Sequence, residues 1–170
     1  PVLIVPSWIM KFYILDLSPH NSMVRYLVGK GHTVYMLSWH NPDASDHDLT
    51  MDDYLRLGIF GALKALGRWG AMKTGVQAMG YCLGGTLLSS TIAYLDAIKD
   101  KRIASATYFV TLMDFSVPGE LGVFIDEQQV SSLEKKMEER GYLEGAEMAT
   151  TFNMLRANDL IWSFVVNNYL

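Results

Sequence analysis

The one cysteine of this 170-residue chain, Cys82, stands in the stretch GYCLGG at positions 80–85. A single thiol cannot close an internal disulfide, and a cysteine kept only for packing is ordinarily a small buried hydrophobe. Here glycine stands two residues before it (Gly80) and two after it (Gly84), with Gly85 following. G-x-C-x-G has the form of the G-x-S-x-G turn that mounts a nucleophile between a strand and a helix. Such a turn is sharp and strained, and a Cβ two residues to either side of the nucleophile would clash with neighbouring backbone. The spacing therefore points to Cys82 as a catalytic nucleophile and to Gly80, Gly84 and Gly85 as elbow glycines. A helix starting behind Cys82 would set partial positive charge beside the sulfur and beside any oxyanion formed on an attacked carbonyl. The backbone N–H of Leu83 is one donor for that oxyanion.

The second donor in such sites comes from the loop after an earlier strand. Here that loop is PSWIMKFYILDL, and the backbone N–H of either Trp8 or Ile9 fits the role. Trp8, Phe12 and Tyr13 in the same loop either line an acyl pocket or pack into the core. A thiol needs a base, usually histidine, and in this class of fold the acid and then the histidine follow the nucleophile. All four histidines (His20, His32, His40, His47) precede Cys82. Either one of them is borrowed against that chain order or the base lies beyond residue 170. The second is the expectation, and with it these residues alone are expected to be inactive. Asp114 is either a substitute acid near the site or a loop carboxylate capping its neighbours. Asp16 is likewise either near the site or a loop anchor. The histidines are scattered, without a cysteine partner or i, i+4 spacing, and no metal set is expected.

The elements that must position this turn follow from the pattern. Residues 2–5 (VLIV) form a fully apolar run, read as a buried strand. Asn21 is the expected N-cap of a helix over 22–30, with Gly31 as its stop. TVYMLS at 33–38 reads as a strand and NPDAS at 41–45 as a loop. Thr50 and Asp53 make a capping-box-like start, behind which Leu55, Ile59, Ala62, Leu66 and Trp69 fall on one helical face ending near Gly70. A strand over 76–79 runs into the glycine turn, a helix covers about 84–98, and a strand covers 104–110. Strand–helix–strand repetition predicts an α/β fold, a mostly parallel sheet flanked by helices. Residues 112–126 read as loop. From 127 onward the pattern is helical only: 127–140 closing on Gly141, then 145–157 and 160–170. The expected organisation is a partial α/β core over 1–112 and the start of a helical cap over 113–170.

Bulk composition excludes several classes. The chain is half apolar, 19% charged and carries a formal charge of −4, which leaves no electrostatic footprint for nucleic acid. No apolar run approaches the roughly 20 residues that span a bilayer. With one cysteine, a reducing cytoplasmic setting is expected. The chain opens on PVLIVP and stops at VVNNYL, so it reads as a piece of a longer polypeptide.

Five stretches together resemble a known family: PSWIMKFYILDL (6–17), GHTVYMLSWHNPDAS (31–45), GYCLGGTLL (80–88), RIASATYFVTLMDFSVPGELGVFIDE (102–127) and MATTFNMLRANDLIWSFVVNNYL (148–170). The likeness is to the poly(3-hydroxyalkanoate) synthases, particularly the class I enzymes that make poly(3-hydroxybutyrate), and it covers nearly the whole chain. Ser7 and Met10 depart from it, standing where Pro and Asn are expected. The resemblance implies an α/β-hydrolase core with a lipase-like box carrying Cys82 in place of serine. It implies polymerisation of (R)-3-hydroxyacyl-CoA with release of CoA, through a thioester on the cysteine, and no cofactor besides the CoA-bound substrate. It further implies a homodimer, cytoplasmic and associated with polyhydroxyalkanoate granules, their surface and possible granule-associated proteins. Two other readings compete: a cysteine-dependent hydrolase or thioesterase passing the acyl group to water, and a non-catalytic granule-binding module.

Overall fold

In the computed structural model, residues 1–119, 122, 125–147, 150, 153 and 166 are described. They divide into two compact units, one of residues 1–41 and 49–113, the other of residues 42–48 and 114–170.

The first unit is an α/β layer structure. Strand β1 (Val2–Val5) is followed by a short 3₁₀ turn (Phe12–Leu15) and a small antiparallel pair, β2 (Asp16–Ser18) with β3 (Asn21–Ser22). Helix α1 (Met23–Gly29) leads to β4 (Val34–Met36). Next, α2 (Met51–Asp53), a π-helical stretch (Tyr54–Phe60) and α3 (Gly61–Arg68) follow one another without a break. Strand β5 (Val76–Tyr81), helix α4 (Leu83–Ala97) and strand β6 (Ile103–Phe109) complete the unit. The four long strands form one sheet in the order β4-β1-β5-β6, every pair parallel. The expected α/β class with a parallel sheet is what the chain adopts.

Alternation along the central strands gives each face of the sheet its own core. On one face Leu3, Val5, Val76 and Ala78 meet Ile59, Leu63, Leu66, Leu87, Leu88 and Leu95, all essentially without solvent contact. On the other, Val2, Ile4 and Met79 meet Met23, Val24 and Leu27 of α1. Burying each such aliphatic side chain stabilises by about 1.5–3 kcal/mol before chain entropy is set against it. The apolar run of β1 is explained by its central place: both of its faces are covered.

Three local expectations need correction. Asn21 is not the N-cap of α1. It pairs in the β2–β3 hairpin, and the neighbouring Ser22 accepts the Arg25 N–H on its Oγ at 2.8 Å. Trp69 is not on the buried face; it ends α3 at 68% exposure, stacked on Tyr35. Trp69 lies past the last residue of α3, and the buried face runs through Ile59, Leu63 and Leu66 at ordinary helical spacing. Val110 is not part of β6: its φ of 49° breaks the strand after Phe109.

In the second unit, α5 (Glu127–Arg140) starts at Asp126, whose carboxylate accepts the Gln129 N–H at 2.7 Å, and stops at Gly141 with φ 86°. None of its residues is buried. The helices expected over 145–157 and 160–170 lie almost wholly outside the described residues; 145–147 are helical. No helix among the described residues is long and apolar enough to cross a membrane.

Candidate active site

Strand β5 ends at Tyr81 and α4 begins at Leu83, so Cys82 alone makes the turn between them. Its torsions are φ 55° and ψ −129°. Sparsely populated backbone of this kind costs on the order of 1–3 kcal/mol and persists only where the surroundings over-determine it. Here they do. The Cys82 N–H donates to the Phe109 carbonyl at 3.0 Å, while the Cys82 carbonyl accepts from the N–H groups of Gly85 and Thr86 at 2.9 and 3.3 Å. The peptide groups on both sides of the turn are therefore tied.

Each of the three glycines faces a different obstacle. A Cβ on Gly80 would overlap the Cα of Gly85, and one on Gly84 would overlap the carbonyl oxygens of Val5 and Pro6. One on Gly85 would overlap the Thr111 side chain. The first two obstacles are backbone, which no rotamer change relieves. Glycine at these positions thus lets α4 start directly against the ends of β1 and β6. The Cys82 thiol is half-buried and makes no hydrogen bond among the described residues.

Two segments flank the turn. After β6, Val110 stands one residue beyond the register pair Tyr81↔Phe109, hence beside Cys82, with its side chain 80% exposed. The chain is then laid along the start of α4: Thr86 Oγ1 donates to the Leu112 carbonyl at 2.7 Å, and Ser89 reaches Met113 Sδ at 3.7 Å. After β1, Pro6 and Ser7 are fully buried, and the Ile9 N–H is turned onto Ser7 Oγ at 3.3 Å. The Trp8 N–H makes no hydrogen bond among the described residues. Of the two candidates for second oxyanion donor, Ile9 is already engaged and Trp8 is available. The Leu83 N–H, first of α4, has no intrahelical acceptor, as helix geometry requires.

The Trp8 ring joins Trp39 and Tyr54 in an aromatic cluster, with centroids 6.0 Å and 5.0 Å from its own. It packs against the larger core, whereas Phe12 and Tyr13 are exposed and pack on each other. Trp39 Nε1 donates to the Pro6 carbonyl at 2.7 Å.

The remaining sequence candidates sit as follows. Asp16 accepts from Ser22 Oγ at 2.5 Å and anchors the β2–β3 hairpin. Asp114, in the second unit, accepts the Ser116 N–H at 2.9 Å; that bond, then one from the Ser116 side chain, holds its carboxyl below the usual range. His20 occupies the β2–β3 turn, and His32 precedes β4, at the opposite end of the parallel sheet from Cys82. His47 binds Asp48 and the Ala44 carbonyl.

Sequence reasoning missed Trp39, Gly58, Val110 and Thr111. Thr111 and Val110 carry no local signature, since their importance comes from lying across α4 after the chain has left β6. Trp39 reads as one more core aromatic until its donor bond is seen.

Comparison with known proteins adds the following. Residues 1–27 match the profile of the poly-beta-hydroxybutyrate polymerase N-terminus. Over all 170 residues the chain is 52% identical to a poly(3-hydroxyalkanoate) polymerase of Methylorubrum extorquens and covers 28% of that protein. It is 48% identical to the poly(3-hydroxyalkanoate) polymerase subunit PhaC of Rhizobium etli, covering 27% of it. With the subunit of the same name from Cupriavidus necator the identity is 42%, the whole chain covering 30% of that relative. The chain thus spans less than a third of the length of the curated relatives it matches.

Proposed function

Because the chain belongs to the poly(3-hydroxyalkanoate) polymerase family, we propose that it is the nucleophile-bearing part of an enzyme that polymerises (R)-3-hydroxyacyl-CoA and releases CoA. The observation that carries this reading is Cys82 in a strained, doubly tied backbone turn packed through three glycines.

The Cys82 thiolate adds to the thioester carbonyl of a hydroxyacyl-CoA, and the charge that develops on the carbonyl oxygen is met by the N–H groups of Leu83 and Trp8. Fixed donors of this kind need no reorganisation as the charge forms. The bond from carbonyl carbon to the CoA sulfur then breaks. CoA leaves as a thiol, taking the proton that a base removed from Cys82, and the acyl group remains on Sγ. One thioester has replaced another at little change in free energy, so the acyl group stays activated. The 3-hydroxyl of a second unit attacks it, and the base takes the hydroxyl proton. An oxoester forms as the carbon–Sγ bond breaks, and the proton passes to the freed Cys82 thiolate. A serine nucleophile would fall to the oxoester at the first step and leave less driving force for chain growth. The base and the acid that orients it are supplied by the larger part of the polypeptide length, which these residues do not span. In this reading the enzyme works as a cytoplasmic homodimer at the surface of the granule in which its insoluble polyester product collects.

The test is a full-length polypeptide supplied with 3-hydroxybutyryl-CoA, with free thiol and polymer both measured. Wild type is expected to release CoA in step with polymer formation, and Cys82→Ala to lower release by at least about a thousandfold. Soluble 3-hydroxybutyrate in place of polymer would move the assignment to a hydrolase. Undiminished release by Cys82→Ala would end the enzyme reading at this site.

A further inference from the structure

The loop that carries the Trp8 N–H is held by a side chain 33 residues away, for the Trp39 indole donates to the carbonyl of Pro6 at 2.7 Å. That carbonyl lies just past the end of β1, whose last register pair is Val5↔Gly80, and it is one of the two oxygens against which Gly84 packs. It is therefore where the first turn of α4 meets the loop.

A peptide group is planar, so restraining its carbonyl also restrains the N–H across the same bond. Trp39 restrains the Pro6–Ser7 peptide. The Trp8–Ile9 peptide is restrained by the bond from the Ile9 N–H to Ser7 Oγ. The Ser7–Trp8 peptide, whose N–H makes no hydrogen bond among the described residues, is bracketed between them.

The surroundings hold the indole firmly. Its ring meets Trp8 nearly edge-on at 81° and lies 5.6 Å from Tyr54. A Cβ on Gly58 would stand 2.5 and 2.6 Å from two of its ring carbons, so glycine there makes its seat. Tyr54 and Gly58 both belong to the π-helical stretch, a geometry that is uncommon and concentrates at functional sites. The two are four residues apart and so lie on the same face of the helix, towards the ring.

We propose that Trp39 is a positioning residue for the oxyanion site: its N–H, by holding the Pro6 carbonyl, aims the Trp8 N–H at the carbonyl oxygen of the acyl group attacked by Cys82. The inference rests on the reading of Cys82 as the acylated nucleophile. It assigns Trp39 an effect on the transition state and not on substrate binding.

The experiment uses the full-length polypeptide and 3-hydroxybutyryl-CoA. Trp39→Phe keeps an aromatic ring and removes the donor. The expected result is a kcat for CoA release lower by about 10- to 100-fold, the range that follows from a loosened oxyanion donor. KM should change by less than about threefold, with melting temperature and near-ultraviolet circular dichroism retained. Gly58→Ala displaces the indole without removing its N–H and should lower kcat in the same direction. An unchanged kcat in Trp39→Phe overturns the inference, as does a loss carried by KM. Loss of the folded signal in both variants makes Trp39 a structural residue only and overturns it equally. Cys82→Ala run alongside separates the two levels. If it abolishes release while Trp39→Phe is normal, only this inference falls; if it leaves release intact, the nucleophile reading falls and this one with it.

Discussion

Helices α4 and α5 are nearly equal in length, fifteen and fourteen residues, and are built on opposite plans. Helix α5 has its own signals: an aspartate accepting at the N-terminus, a glycine in left-handed backbone at the C-terminus, charged residues along its length and nothing buried. Helix α4 starts from a strained residue with no side-chain cap, yet it buries Gly84, Gly85, Leu87, Leu88, Thr91 and Leu95. The buried Thr91 hydroxyl is satisfied within the helix by the Leu87 carbonyl at 2.7 Å. One helix is defined by its ends and the other by what it packs against. A helix of the second kind tolerates a poor local start, and that is where a backbone outlier such as Cys82 can be kept.

Substitutions at the two helices should separate these plans. The largest effect is expected for Gly84→Ala, whose Cβ meets two backbone carbonyls; a loss above about 4 kcal/mol, or no cooperative unfolding at all, is the expected outcome in denaturant titration. Leu88→Ala empties a fully buried site and should lower stability by about 3 kcal/mol in the same titration, within the range for cavity-forming changes. At α5, Asp126→Ala removes only a local cap and should cost about 1 kcal/mol. If Asp126→Ala matched Leu88→Ala in size, the contrast between the helices would be wrong.

Val110→Gly bears on the strained side of the comparison. It relieves left-handed backbone at an exposed β-branched residue and should raise the unfolding midpoint by the equivalent of about 1 kcal/mol. A fall would mean that the valine side chain holds more than its exposure suggests.

The smallest effect is expected where α2 begins. There the Asp53 carboxylate accepts the Thr50 N–H, the Arg56 guanidinium and the Thr50 hydroxyl, which together lower its pKa to about 2. A carboxyl whose pKa is lower folded than unfolded contributes stability that is complete above its unfolded value near 4 and is lost as the pH falls towards 2. The melting temperature of Asp53→Asn should therefore lie below wild type at pH 6, by a margin that shrinks between pH 4 and pH 2. A margin independent of pH would contradict that origin.

Much of the first unit was legible because its signals are local. The apolar runs of β1 and β5 and the glycines around Cys82 each occupy a few consecutive residues. The Thr50–Asp53 pair and, in the second unit, the stop at Gly141 are just as local, and all of these are present in the structure. The errors came where a neighbour in space overruled the local pattern. Asn21 lost the cap to Ser22 once β2 and β3 paired, and Trp69, past the end of α3, stacks on Tyr35 outside the core.

The residues alone determined where the turn lies and why glycine must surround it, since strand period, glycine spacing and helix start are properties of adjacent positions. Only the folded chain decided that Ile9 is engaged and Trp8 available, that Trp39 holds the Pro6 carbonyl, and that Thr111 closes over Gly85. Each of the last two joins groups from 26 to 33 positions apart. No local preference encodes such a meeting, because it exists only after two strands have taken their places in the same sheet.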